Sequence, residues 1–416
     1  MSAPKSPMTW AMTVLLIVTL CNVLARGIGE GYAVFVLPLT EEFGWTRSKV
    51  ISVYSVYMLA HGAMAPFMGW LFDRFGARVT YGFGFSLMGA GFVLASFSTS
   101  IWHLYFGVGL GAGIGVAAIG MVTAAGLVSR WFNSRLTLAM GVAYGGLGAG
   151  VIALAPLTEI LIQAFGWRST YQIMGVTLLV LCPIILLLPW RKLAAGNSEF
   201  YSKPAPVSVN EHFGSLLKAF ATKPFWAITI AFFLTAVTIY AVALQSVAYL
   251  VENGYSPLTA AWAYGLAGML SVVGMVFTAW LGDIFGRKQV LTFSYTFSAL
   301  GILCLAMVGQ TNLMIFLVGY VFFFGITQGS RGPVFSSLVA IHFPKHVAAV
   351  YGATTIGLGA GGALGGWVSG LLLDWTGSYV PAFLFSATAA LLAMLMFYVI
   401  PSLQAKPRQQ VEGGLQ

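Results

Sequence analysis

GWLFDRFGARVT runs from Gly69 to Thr80, and AWLGDIFGRKQV runs from Ala279 to Val290, 210 positions further on. Each string closes a long apolar run and carries an acid, then a glycine, then a base. These are Asp73, Gly76 and Arg78 in the first copy, and Asp283, Gly286 and Arg287 in the second. Glycine permits a tight turn, and the acid and bases can clamp neighbouring helix ends through charge-assisted hydrogen bonds. Gly141, Gly148 and Gly150 likewise recur as Gly352, Gly359 and Gly361, each 211 positions later. The chain therefore reads as two similar halves.

Composition names the medium. Hydrophobic residues make up 59% of the chain and charged residues only 7%, against about 25% charged in a soluble domain. A soluble protein of 416 residues could not hide so much apolar surface, whereas a bilayer replaces water as the solvent of the outer face. Apolar runs predict spans at about 11–38, 48–72, 78–97, 101–129, 136–165 and 168–190. After a polar stretch come about 224–252, 257–282, 287–308, 312–342, 347–373 and 379–400. The expected fold is an all-α membrane protein of 12 transmembrane helices in two pseudo-symmetric six-helix bundles, residues 1–190 and 224–402. A cytoplasmic linker, 191–223, joins them, and 403–416 form a tail. Fifteen Lys and Arg residues fall on one side and three, Arg47, Lys49 and Arg168, on the other, which puts both termini in the cytoplasm.

The net charge of +9 is scattered over short loops, so no nucleic-acid partner is expected. Cys21, Cys182 and Cys304 sit singly in apolar runs, without metal or disulfide spacing. No GxxxxGK[ST], HExxH or nucleophile-elbow pattern occurs, which argues against an enzyme and against any cofactor or metal.

The first of the two opening strings, through Gly69, Asp73, Arg74, Gly76 and Arg78, resembles the loop motif of the major facilitator superfamily. The second, through Asp283, Gly286 and Arg287, is similar to its degenerate second-half counterpart. The resemblance implies a secondary transporter in which these residues serve conformational gating and the halves rock about a central solute path. GIGEGYAVFVLPLTEEFGWTRSKVISVYSVY (Gly27–Tyr57) and GLLLDWTGSYVPAF (Gly370–Phe383) resemble the monocarboxylate transporter and oxalate/formate antiporter branch. That branch often keeps an Arg in the eighth helix. Here the stretch reads SVVGMVFTAW, Ser271 to Trp280, so an anion site must be organised differently.

An Arg at the bilayer centre costs at least ~2.5–3.5 kcal/mol and needs a partner, a wet cavity or a task. Asn22, Arg26 and Glu30 follow at intervals of four and share one helical face. Arg331 lies in the tenth span within GITQGSRGPVFSS, where Pro333 lacks the N–H that would close the helix onto Gly329. A guanidinium binds both oxygens of a carboxylate at once, so Arg26 and Arg331 are expected to seat a small organic anion between the halves. Asn22, Tyr57, His61, Gln245 and Gln328 are the expected polar lining, with Ser330 and Thr327 beside Arg331. Either arginine could instead be structural, Arg26 through Glu30 and Arg331 through helix carbonyls.

Glu30 is the proton-coupling candidate, with His61 second. When a carboxylate takes Arg26, Glu30 loses its cation and should gain a proton. The expected activity is secondary active transport of a small organic anion, a monocarboxylate, together with protons, by alternating access of a monomer in the lipid bilayer of a bacterial inner membrane. Anion exchange, export of hydrophobic compounds, and a non-transporting membrane sensor are the alternatives.

Overall fold

The computed structural model describes residues 7–132, 136–197, 217–311, 313–343 and 347–404. Among the described residues every regular element is helical, and nine helices are long and apolar enough to cross a membrane. A chain dissolved in lipid must satisfy its backbone polar groups internally, and helices do this within each segment. The protein is a multi-pass, all-α integral membrane protein.

The repeated motif marks where helices turn. The 50-residue helix Arg47–Ser96 is broken at Gly76, with φ 78° and ψ 173°. Gly286, at φ 84°, separates Pro257–Phe285 from Arg287–Thr311. A side chain at Gly76 would meet nothing within 4 Å, so conformation rather than space requires the glycine there. Gly166 breaks the 52-residue helix Leu136–Leu187 in the same way, at φ 78° and ψ 162°.

Three apolar runs are interrupted. The first is Pro7–Glu30 followed by Tyr32–Phe43, parted at Gly31. The run 101–128 contains a π-helical stretch, Tyr105–Ala112, and a break at Gly120. The run 314–342 consists of Met314–Gln328 and Gly332–His342 around a turn at 329–331. Pro333 offers no N–H there, and the Gly329 carbonyl accepts from Gly332 N at 3.4 Å instead.

Helix 47–96 packs on Val347–Thr376, and helix 136–187 packs on helix 257–285. Each pair joins the first half of the chain to the second. One pair of the glycine repeat, Gly148 and Gly359, lies in these seams, while Gly150 and Gly361 pack against Val23 and Phe233 of their own halves. A Cβ on Gly148 would stand 2.8 Å from the Gly268 carbonyl oxygen, and one on Gly359 3.2 Å from Gly62 Cα. Small residues let membrane helices approach this closely. Two turns earlier on the same faces, Gly141 and Gly352 have open space around them. The seams thus close in the middle and part toward that end.

Of the expected linker 191–223, residues 198–216 fall outside the described set, as do 405–416 of the tail. The linker begins with the short helix Trp190–Leu193, held to the first half by Trp131 Nε1 donating to the Leu193 carbonyl at 2.7 Å.

Candidate functional site

Arg26 and Glu30 lie one turn apart on the first helix, and their side chains pair, Nη2 to Oε1, at 2.8 Å. Arg26 keeps 26% of its side chain accessible and Glu30 only 6%. The glutamate is then surrounded by phenols. Tyr54 donates to its Oε2 at 2.7 Å. Tyr240, on Lys223–Glu252, accepts from Arg26 Nη2 at 2.9 Å and donates to Glu30 Oε1 at 3.4 Å. Tyr264, on helix 257–285, donates to Glu30 Oε2 at 3.3 Å and to its backbone carbonyl at 3.2 Å. At the Gly31 break the Val34 N–H turns to the Gly31 carbonyl, at 3.0 Å. One ion pair from the first half is therefore covered by two hydroxyls from the second.

Desolvation offsets much of the attraction in such a pair, so it is poor evidence for stability. Its chemistry is more telling. The guanidinium is held by a carboxylate and a neutral hydroxyl, and it retains access; an incoming carboxylate could compete for it. Tyr57 is buried next to Tyr54, ring centroids 4.9 Å apart, and its own hydroxyl has no partner. The His61 ring stacks on Tyr57 at 6.3 Å with an 11° interplanar angle, and is half-buried. Tyr57 and His61 thus fall in the same cluster as Arg26 and Glu30.

The other expected lining residues lie elsewhere. Asn22 is fully buried and donates to the Ala143 carbonyl at 2.8 Å, which fastens the first helix to helix 136–187. Gln245 is fully buried with its amide unpartnered. It shares a face with Tyr249, which packs on Tyr379 and Phe383, on roughly the opposite side of its helix from Tyr240. Gln328 is half-buried at the end of helix 314–328.

Arg331 departs furthest from expectation. It is 1% exposed. Its Nη2 donates to the Ser294 carbonyl at 3.0 Å and to Ser298 Oγ at 2.5 Å, and its guanidinium lies 4.0 Å from the Tyr295 ring centroid. Nε and Nη1 have no hydrogen-bond partner among the described residues. Ser330 and Thr327 bond to Ser294 and Ser298, so the whole turn is sewn to helix 287–311. Arg26 and Arg331 share no partner. The expectation that both line one hollow gives way to a central arginine and a second one packed inside its own half.

Of the motif residues, Arg74 lies over the Trp70 and Phe75 rings at 5.5 Å each, and Arg78 is exposed. Asp73 is exposed, Gly69 sits opposite Val122, and Arg287 is half-buried. The Asp283 side chain falls outside the described set.

The end of the molecule away from Gly141 and Gly352 is sealed by Arg47, Glu252, Asp374 and Tyr379. Arg47 pairs with Glu252, and Tyr379 donates to the other oxygen of Glu252 at 2.6 Å. The Asp374 carboxylate accepts from Arg47 N and Ser48 N, both at 2.8 Å. Those are first-turn donors without intrahelical acceptors, and the helix N-terminus favours negative charge. Burial and the bond to Glu252 push the Tyr379 phenol above its ordinary range, so it stays a donor. The Arg47 and Asp374 contacts cross from one half to the other, and the Tyr379 bond braces Glu252 within the second half.

The Major Facilitator Superfamily model matches residues 15–281 and 235–415. Monocarboxylate transporter 13 of Bos taurus is 30% identical, over 98% of this chain and 94% of its own length. Monocarboxylate transporter 11 of Homo sapiens is 27% identical over 94% and 83%. The uncharacterized MFS-type transporter YcxA of Bacillus subtilis (strain 168) is 23% identical over 84% and 85%. The chain is thus a membrane transporter by family and not an enzyme. With the repeated motif, the helical membrane architecture and matches spanning nearly its whole length, the chain belongs to the major facilitator superfamily and resembles its monocarboxylate transporter branch.

Proposed function

We propose that this transporter carries a small organic anion, a monocarboxylate, together with protons, by alternating access of two six-helix bundles. The bundles are residues 1–190 and 224–402, with 191–223 as linker and 403–416 as tail, and twelve crossings in all. The breaks at Gly76 and Gly166 support the count, because helices of 50 and 52 residues each exceed one bilayer thickness about twofold. The Lys and Arg distribution supports cytoplasmic termini, which makes the Arg47–Glu252–Asp374 seal extracellular and the conformation inward-facing. The motif residues Asp73, Arg74, Arg78, Asp283 and Arg287 would then gate the cytoplasmic end. The protein works as a monomer in the inner membrane, where a proton gradient is available.

The observation that carries this reading is the accessible Arg26 paired with a buried Glu30. A carboxylate entering from the open end takes the fork of Arg26, and the Tyr57 hydroxyl and His61 are the nearest further donors. Glu30 is then a carboxylate without its cation in a low-dielectric site, which favours its neutral form. Anion and proton move in the same direction. Asn22, Gln245, Gln328 and Arg331 serve indirectly, by holding the helices that frame the seat.

The test is uptake of labelled organic acids into proteoliposomes, with and without an inward proton gradient. Wild type should accumulate at least one monocarboxylate against its gradient. Glu30→Gln should abolish accumulation while leaving exchange of anion for anion measurable. Gradient-driven accumulation by Glu30→Gln would overturn the coupling assignment, and indifference of all uptake to Arg26 would overturn the seat.

A further inference from the structure

Three phenols converge on Glu30, and they arrive from different halves. Tyr54 stands on the same half as Glu30 and makes the short bond, 2.7 Å. Tyr240 and Tyr264 belong to the other half, and their bonds to the carboxylate are longer, 3.4 and 3.3 Å. They are contacts from the second half to an ionisable group of the first at this depth. The remaining charged or titratable neighbours are Arg26 on the same helix, and Tyr57 and His61 on helix 47–96. Tyr32, also nearby, spends its hydroxyl on the Val50 carbonyl. Helix 136–187 presents Gly150, Leu154 and Thr158, and the run 101–128 presents Val108 and Ala112, none of which titrates.

We infer that Tyr240 and Tyr264 are positioning residues through which the second half senses whether Glu30 carries a proton. An ionised acceptor makes a hydrogen bond roughly twice as strong as a neutral one. A proton on Glu30 removes that charge and turns one acceptor oxygen into a donor. The long bonds, from the other half, are the first to be lost. The Tyr54 bond survives or fails without consequence for motion, because it crosses no seam. Ionised Glu30 therefore holds the halves together at this depth, and neutral Glu30 lets them turn. The inference rests on Glu30 as the proton carrier of the proposed function, but not on the identity of the cargo.

The experiment needs no substrate. The full chain, with Cys304→Ser, is spin-labelled at Val79→Cys and Phe285→Cys, exposed positions on opposite halves. The label-to-label distance distribution is then recorded in lipid nanodiscs across a series of pH values from acidic to alkaline. Wild type should redistribute as pH falls, and Glu30→Gln should show the low-pH distribution throughout. Tyr240→Phe with Tyr264→Phe should flatten the response about tenfold in population ratio, the factor of one pKa unit. Tyr54→Phe, which weakens the same carboxylate from its own half, should keep the wild-type response.

A double Phe variant that responds like wild type, while Glu30→Gln does not respond, would overturn the inference and leave Glu30 as the proton carrier. So would a Tyr54→Phe variant as flat as the pair. A pH response that survives in Glu30→Gln would remove both the inference and the coupling reading. The uptake assay judges the cargo separately.

Discussion

Arg26 lies in the first candidate span and Arg331 at the turn between two short apolar helices; the first keeps an acid partner and some access, and the second has neither. The partners of Arg26 are a carboxylate one turn away and a hydroxyl from the opposite half, which under the proposed function give way to an incoming anion. Those of Arg331 are a backbone carbonyl, a serine hydroxyl and an aromatic face, all on helix 287–311. A cation so placed spreads its charge over dipoles and a ring quadrupole that cannot leave. Two of its nitrogens stay unsatisfied, a cost that an interior normally avoids. The contrast separates two uses of one residue type: a charge whose partner can be exchanged makes a site, and a charge whose partners are fixed makes a joint.

The sharpest way to break this contrast is to neutralise each arginine. Arg26→Gln strands Glu30, and losing one member of a buried pair costs roughly 3–5 kcal/mol. Monocarboxylate uptake in proteoliposomes should fall roughly ten- to a hundredfold, as the loss of about 1.5–3 kcal/mol of charge-assisted hydrogen bonding to the anion implies. Arg331→Lys should act mainly on stability, because a lysine cannot both stack on Tyr295 and reach Ser294 and Ser298. We expect a loss of roughly 1–3 kcal/mol, read as a lower melting temperature of the solubilised protein, with KM within about threefold of wild type. A tenfold rise in KM at unchanged stability would put Arg331 in contact with cargo and erase the distinction.

The seal at Arg47, Glu252, Asp374 and Tyr379 supplies a smaller effect. Asp374→Asn keeps the side chain's shape but removes the charge at a helix N-terminus, worth about 0.3–1 kcal/mol. Labelling of a cysteine at Ile51, a buried neighbour of the seam, should accelerate about two- to fivefold, as that energy implies. The seal should also ignore pH where the Glu30 cluster responds. A raised phenol pKa contributes stability that is full below the ordinary tyrosine value of 10.0 and is lost only as pH rises through the shifted value. Labelling at Ile51 should therefore stay constant from about pH 6 to about pH 9. A marked change in that window would mean that the seal has a titrating member of its own.

Much of this was readable along the chain. Gly76 and Gly286 announce their turns because their neighbours are apolar runs and the conformation they adopt excludes side chains. The Arg26–Glu30 pair follows from a spacing of four on one helix, and the break before Pro333 from a missing N–H. Tyr240 and Tyr264 gave no such sign. They reach Glu30 across 210 and 234 residues of chain, and helical periodicity relates only neighbours on the same helix. The seal hid for the same reason, since Asp374 meets Arg47 across 327 residues.

Hydropathy and glycine placement determined on their own that the chain is a helical membrane protein, because the demands of a bilayer on backbone and side chain are local. Tertiary packing alone decided which arginine keeps an acid partner and some access. That depends on which helices close over it, and an arginine in an apolar run looks the same from its own strand of sequence whether it is roofed by tyrosines from the other half or stitched to serines beside it.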